Sequence, residues 1–461
     1  MPYDEDVRGL LAAAVALEIL LGPQPARAAD GPRVLYSAKP TAVARTRACS
    51  TRVPLCVQAA EHARPTSTLD VLDAFERAWS LITGPLELPA PDVDPDTAAY
   101  EVFLSAPDAA LLAGDLEATR LAARDTRSRI DRARSFTVVD ERSRASCTLD
   151  ALAARALVRA SLFRSAPATD EATARAHATY LAGLAAPCGS ALLADAAQEF
   201  QSEPQRAICD PHERAGVHAP DDAGGHSRGA RLFADGASLV WSRLDWAYAR
   251  APGALVLAMW ALAPTMTPAN APRWTNEPDG FDVLRESFKD RLSTGSTVHD
   301  LFLDVAVARA FMGSAEDGLH APETRTLGDA ARVPFDWDLP WPVAPTRVAP
   351  RVAVQPTGAS YLVVRRSGAP PGARLRVEAT WEEHARFLWA AVKLDARGHE
   401  LGRIVIPAQE RATDAQMTLV DLDAVDRILL VGANVGDPAY AFDPDERVWE
   451  PHGWLVTLAA E

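Results

Sequence analysis

The sequence predicts an α+β protein in three stretches: a small α/β unit near the N-terminal end, a mostly helical middle, and a C-terminal antiparallel β-sandwich. Three observations carry this expectation. Between residues 50 and 105 the apolar pattern passes from a strand-like run to a helical period and back. From about 115 to 315 the period is helical. Beyond a proline cluster around 340 it switches to two, in short runs broken by turn residues.

The chain has 461 residues, room for two to four domains at about 100–200 residues each. Hydrophobic residues make up 48% and charged residues 24%, ordinary globular usage that argues against disorder or a fibre. Lys plus Arg is 47 against 62 Asp plus Glu, a net charge of -15. Such a chain repels phosphate backbones, which disfavours a nucleic-acid partner.

Leu10–Leu21 is an apolar run followed by Ala26-Arg27-Ala28. It is too short to span a bilayer and suits the core and cleavage site of a signal peptide over residues 1–29. The acidic Asp4, Glu5, Asp6 and Glu18 depart from the basic leader usual there. The expected product is exported to the periplasm, the cell envelope or the outside, with no transmembrane span in the mature chain.

Val53–Ala59 reads as a strand. Thr68–Ile82 reads as a helix with Leu69, Leu72, Phe75, Ala78 and Trp79 on one face, and Tyr100–Leu104 as a second strand. In the helical stretch, Leu149, Leu152, Ala156, Leu157 and Ala160 line one helix, and Thr173–Leu184 forms another. Leu239, Val240, Leu244 and Ala247 mark a third and Phe281–Leu292 a fourth. A fifth is placed between Ser296 as cap and Gly313 as stop. The expected boundaries are 30–335 for the α/β and helical part, a Pro-rich linker over 336–350, and 351–461 for the sandwich. The sandwich strands are read at Tyr361–Arg365, Arg374–Thr380, Phe387–Leu394, Ile404–Ile406, Met417–Val420, Ile428–Val431 and Trp454–Leu458. Trp381, Trp389, Trp449 and Trp454 are read there mainly as core-filling residues, at least two of them between the sheets.

Five cysteines occur without a C-x-x-C pair, so a zinc ribbon or thioredoxin-like motif is excluded. In an exported chain the expected bridges are Cys147 with Cys188, which bracket a helical hairpin, and Cys49 with Cys56, leaving Cys209 as a thiol.

The hairpin from Cys147 to Cys188, whose second helix carries Glu171-Ala-Thr-Ala174, resembles the core of zinc-dependent metallopeptidases. GASLVWSRLDWAYARAPGALVLAMWALAP (Gly236–Pro264) and EPDGFDVLRESFKD (Glu277–Asp290) resemble the helices that follow such a core. With a sandwich beginning PTGASYLVV, the order over residues 50–461 is similar to a family of secreted myxobacterial metalloproteases. The resemblance implies a metallopeptidase-like middle in which HExxH supplies two zinc ligands and a downstream Glu the third.

That motif is not retained. The positions that best match it are Arg155, Ala156 and Arg159, with Glu171 as the match to the third ligand. Zinc needs neutral imidazoles at i and i+4 and a carboxylate beside the metal-bound water. A guanidinium is always charged and has no lone pair to offer. The bland reading makes Arg155 and Arg159 a solvated face and Glu171 a helix-start acid; another pairs Glu171 with those arginines where zinc once sat. A second metal candidate is the loop with His212, His218 and His226, whose ligand types fit zinc but whose spacing does not suit one helix face. Asn276-Glu277-Pro278 echoes a glycosidase acid/base tripeptide, although Glu277, Asp279 and Asp282 read better as helix-start acids. There is no G-x-S-x-G, P-loop or G-x-G-x-x-G. The expectation is an exported pseudoenzyme without a cofactor, which binds a peptide, a protein or an envelope ligand. The opposing reading is an active zinc hydrolase using the His212–His226 loop.

Overall fold

Cys49 and Cys56 face each other across an antiparallel hairpin, Cα atoms 4.1 Å apart, and are joined by a disulfide. The fold is that of a computed structural model, whose described residues are 38–40, 45–60, 64–105, 117–121, 133–167, 169–186, 190–209, 228–266, 278–289, 297–407, 412–436 and 450–461. The candidate signal peptide over 1–29 lies outside them.

The hairpin consists of β1 (Arg45–Cys49) and β2 (Leu55–Ala60), and α1 (Pro65–Thr83) then crosses to β3 (Tyr100–Ser105). β2 and β3 are parallel, so this is a βαβ unit. Pro65 opens α1 where a missing N–H costs nothing. Its buried stripe is Val71, Leu72, Phe75, Ala78, Trp79 and Ile82, whereas Leu69, expected on that face, is 55% exposed. The sheet continues with β4 (Glu117–Leu121) and β5 (Ser135–Asp140), in the order β1-β2-β3-β5-β4. Both strands fall where the sequence suggests helix. Every residue of β5 is buried, so it lacks the alternation that marks a half-exposed strand.

The helical part follows. α2 (Cys147–Ser165) is capped by Ser146, whose hydroxyl accepts from the Leu149 N–H. α3 (Glu171–Ala185) is capped by Asp170, which accepts from Thr173. α4 (Ser190–Ser202), α5 (Arg228–Gly236), α6 (Ser238–Tyr248) and α7 (Ala254–Met266) pack around them. α8 (Gly280–Phe288) stops short of the expected Leu292, which lies outside the described residues. α9 (Val298–Arg309) starts from a capping box made by Thr297 and Asp300, where Ser296 was the expected cap. It ends at Arg309; Gly313, the expected stop, instead opens a 3-10 turn with φ near +67°. Cys147 is disulfide-bonded, but its expected partner Cys188 lies outside the described residues. Cys209 is a buried thiol rather than a half-cystine.

The stretch read as a linker supplies two strands, β6 (Trp337–Leu339) and β7 (Thr346–Val348). Its prolines lie outside both strands, with Pro340 just after β6 and Pro345 just before β7, so none interrupts a ladder. β8 (Ala359–Arg365), β9 (Leu375–Trp381), β10 (Phe387–Leu394), β11 (Glu400–Ile406), β12 (Asp414–Leu419), β13 (Arg427–Asn434) and β14 (Trp454–Ala460) complete a two-layer sandwich. One sheet runs β11-β10-β13-β8-β6 and the other β12-β9-β14-β7. The pairings are antiparallel except β6 with β8. Trp381, Trp389 and Trp454 fill the space between the sheets, as expected of core tryptophans; Trp449 lies outside the described residues. A Cβ on Gly432 would sit 2.6 Å from the Trp389 ring, so only glycine leaves room for the indole.

In the sheet β11-β10-β13-β8-β6 the central strands β8, β10 and β13 are buried on both faces, whereas the edge strand β11 is largely open to solvent. Leu362, Val364, Trp389, Ala391, Ile428 and Leu430 point into the sandwich. Their neighbours Tyr361, Val363, Ala390, Val392, Leu429 and Val431 join the helical core, against which α9 packs. Tyr361 also donates its hydroxyl to the Ala306 carbonyl at 2.8 Å.

Candidate functional site

α2 presents Arg155 and Arg159 one turn apart, but they point into the protein, not at solvent. Arg155 donates to Glu117 Oε2 at 3.1 Å and to Asp235 Oδ2 at 3.0 Å. From α3, Arg175 grips the same Asp235 with two bonds of 3.1 and 2.8 Å, and Thr179 adds a third donor at 3.2 Å. Glu117 accepts in addition from the Thr119 hydroxyl at 2.9 Å. Arg159 is 5% exposed. Its charge reaches Asp235, and its guanidinium lies 5.7 Å from the Phe163 ring centroid.

The electrostatics are those of a closed ion cluster. Burial pushes the Asp235 carboxyl up, but Arg175 and then Arg155 outweigh it and hold the group below the carboxylate range. Burial likewise opposes the charge on Arg155, and Asp235 and Glu117 restore it. A zinc ion here would meet fixed positive charge and no imidazole, so these residues do not fit the metal. Among the described residues no three His, Cys, Asp or Glu side chains converge on a point. Ala156 is buried and offers only its carbonyl, which accepts from Thr119 at 3.3 Å.

The solvated-face reading of Arg155 and Arg159 is therefore corrected, since their charge is neutralised inside the core. The carboxylates meeting Arg155 are Glu117 and Asp235, on β4 and α5; Glu171 is the first residue of α3. Sequence reasoning missed both acids. The available signal was that three arginines on two helices with apolar surroundings require buried carboxylates. His212, His218 and His226 lie outside the described residues, as do Asn276 and Glu277. Asp279 is the cap of α8 and accepts from Phe281 and Asp282, the helix-start role expected for it.

His177, on α3, is 2% exposed. Its Nδ1 accepts from the Trp260 indole at 3.0 Å, and Trp241 packs edge-on at 4.2 Å. Burial pushes the imidazole down to about 3, so it is neutral and no base at pH 7.

A second polar cluster joins the helical part to the sandwich. His320 Nδ1 lies 2.8 Å from Asp317, and its Nε2 lies 2.9 Å from both Glu400 and the Arg403 guanidinium. Arg403 and Arg243 converge on Asp304. Arg243 donates in addition to the His320 carbonyl at 2.6 Å.

One turn along α3 from the ion cluster, a cavity of about 490 Å³ opens between α3, α6 and the 3-10 segment Pro322–Ala331. Tyr180 donates to Asp245 at 2.7 Å on its wall, and Ser242 donates to Glu323 at 2.7 Å. Such a volume is typical of sites for small ligands. Its polar groups hold no nucleophile beside an imidazole base, so they suit binding better than covalent catalysis.

No family model matches the chain, and no curated protein matches it. Among solved structures, the pre-peptidase C-terminal domain of a collagenase from Bacillus anthracis is similar at 6% identity and a TM-score of 0.18. That match covers 27% of this chain and 97% of the domain. A family GH115 4-O-methyl-alpha-glucuronidase with specificity for decorated arabinogalactans is similar at 10% identity and a TM-score of 0.15, covering 70% of this chain and 45% of the enzyme. Scores this low carry no argument about function.

Proposed function

We propose that the protein is a non-catalytic binding protein, similar in its order of elements to the secreted metalloproteases it resembles, and that its ligand is a peptide. One observation carries this reading: where a zinc peptidase presents two imidazoles and a carboxylate, α2 presents Arg155, Ala156 and Arg159, with Arg155 tied to Glu117 and Asp235. The apolar cavity alongside supplies a place to bind. The Cys49–Cys56 disulfide supports an oxidising compartment and hence export.

The test is to incubate the purified full chain with zinc and an unfolded protein substrate, with and without chelator. The reading expects no chelator-sensitive cleavage and no change of melting temperature on chelation. Cleavage that survives Arg155→Ala and disappears with His212→Ala would overturn it and move the active site to the His212–His226 loop.

A further inference from the structure

We infer that the cavity between α3, α6 and Pro322–Ala331 takes a short apolar peptide with both termini free, its ammonium group at Glu323 and its carboxylate at Arg250. This rests on the binding-protein reading and names the ligand class of the same site.

The walls define the middle of such a ligand. Leu184, Leu239 and Leu327 line the cavity with the half-exposed Trp246. Ser238 and Ser242 lie one turn apart on the cavity side of α6; the Ser238 hydroxyl is buried without a partner. A wall that is mainly apolar with a few hydroxyls suits an aliphatic side chain attached to a peptide group.

Two charges define the ends. Among the described residues the Glu323 carboxylate accepts from the Ser242 hydroxyl and has no cation against it. Arg250, on the same cavity, makes no ion pair among the described residues. Asp245 is not available to a ligand, because Tyr180 and the N–H groups of Gly253 and Leu255 already occupy it. The cavity thus presents one open anion and one open cation. A simple acid would leave Glu323 unmatched, and a simple amine would leave Arg250 unmatched. A zwitterion with an apolar centre satisfies both.

Gly183 bears on the shape of the cavity. It lies inside α3 on the cavity wall, and an added Cβ would meet nothing within 4 Å. Glycine within a helix is less stable than alanine there, and no close approach of neighbouring atoms requires it. What the missing side chain does is keep the wall open.

Calorimetric titration of the full chain with leucyl-leucine tests the inference, beside its N-acetyl and its C-terminal amide forms. The free dipeptide is expected to bind at least about tenfold more tightly than either blocked form, a loss of about 1.4 kcal/mol per charge. Arg250→Ala should make the free and amidated forms equal, and Glu323→Gln the free and acetylated forms. Gly183→Leu should abolish binding with no fall in the unfolding midpoint. Equal binding of free and blocked peptides that Gly183→Leu still abolishes would overturn the zwitterion while leaving a binding cavity. No binding of any form at millimolar peptide, or binding indifferent to Gly183→Leu, would overturn the site itself; the zinc and cleavage assay judges the wider reading separately.

Discussion

The His320 imidazole lies flat on the Phe311 ring, centroids 3.9 Å apart and planes 4° from parallel. That contact fixes the ring plane, so both nitrogens are held in line with carboxylates from Asp317 on one side and Glu400 on the other. The loop between the 3-10 turn at Gly313–Ala315 and the segment Pro322–Ala331 is thereby tied to the sandwich strand β11 through one side chain.

The tie makes the junction acid-sensitive. Burial pushes the Glu400 carboxyl up, but His320 and then Arg403 outweigh it and hold the group at about 2, against an ordinary 4.5. Asp317 is lowered in the same direction; burial opposes it, while the Glu400 N–H and His320 favour its charged form. A depressed acid contributes its full stability above its ordinary value and loses it as pH falls through the folded one. Urea midpoints should therefore decline from about pH 4.5 to about 2, and Glu400→Gln should flatten that slope. An unchanged slope in Glu400→Gln would place the acid-sensitive contact elsewhere.

Removing Asp235 leaves the Arg155 and Arg175 guanidiniums facing each other in the core. Asp235→Ala should cost about 3–5 kcal/mol in chemical denaturation, the usual penalty for removing one member of a buried ion pair. A loss below about 1 kcal/mol would mean that water reaches the cluster.

Two glycine substitutions should act with opposite signs. Gly432→Ala drives a methyl group into the Trp389 ring and should destabilise by about 1–3 kcal/mol. Gly183→Ala meets nothing and should stabilise by about 0.5–1 kcal/mol. Thermal unfolding of the two variants beside the parent chain reads both.

The fragment 351–461 should not show a cooperative monomeric transition. It lacks β6 and β7 and lays bare Tyr361, Val363, Val392 and Val431, which the helical core covers in the full chain. Gel filtration and circular dichroism of the fragment check this. A monomer with a sharp transition would show that about 110 residues of sandwich close a core of their own.

The sequence is most legible where one face of an element meets water. α1 and strands such as β9 and β14 announce themselves by period, while Phe387–Leu394, buried on both faces, falls on β10 to the residue through its unbroken apolar run between turn residues. It is least legible where elements are buried all round. β5 has no polar face, so nothing in its pattern separates strand from helix; α2 reads as a helix, but it is buried almost all round, so nothing marks its arginines as inward. Cys49 with Cys56 was readable because a tight hairpin brings its ends together. Glu117 and Asp235 were not, since they reach Arg155 from positions 38 and 80 residues away.

The burial of β8, β10 and β13 on both faces also changes what alignment means for these strands. In a half-exposed strand, sliding by one residue turns polar groups inward, and hydrophobicity alone forbids it. Along β8, β10 and β13 a slide exchanges one apolar set for another, so that safeguard is weak. Exceptional residues must carry the information instead. Gly432 lies directly opposite Trp389, and a slip by one would set Val431 or Ala433 beneath the indole. The Tyr361 hydroxyl finds the Ala306 carbonyl, and the Asn434 amide finds the Val354 carbonyl, each at 2.8 Å in a single register. In this layer the strands are threaded into place by a few singular side chains, and an alternating pattern plays little part.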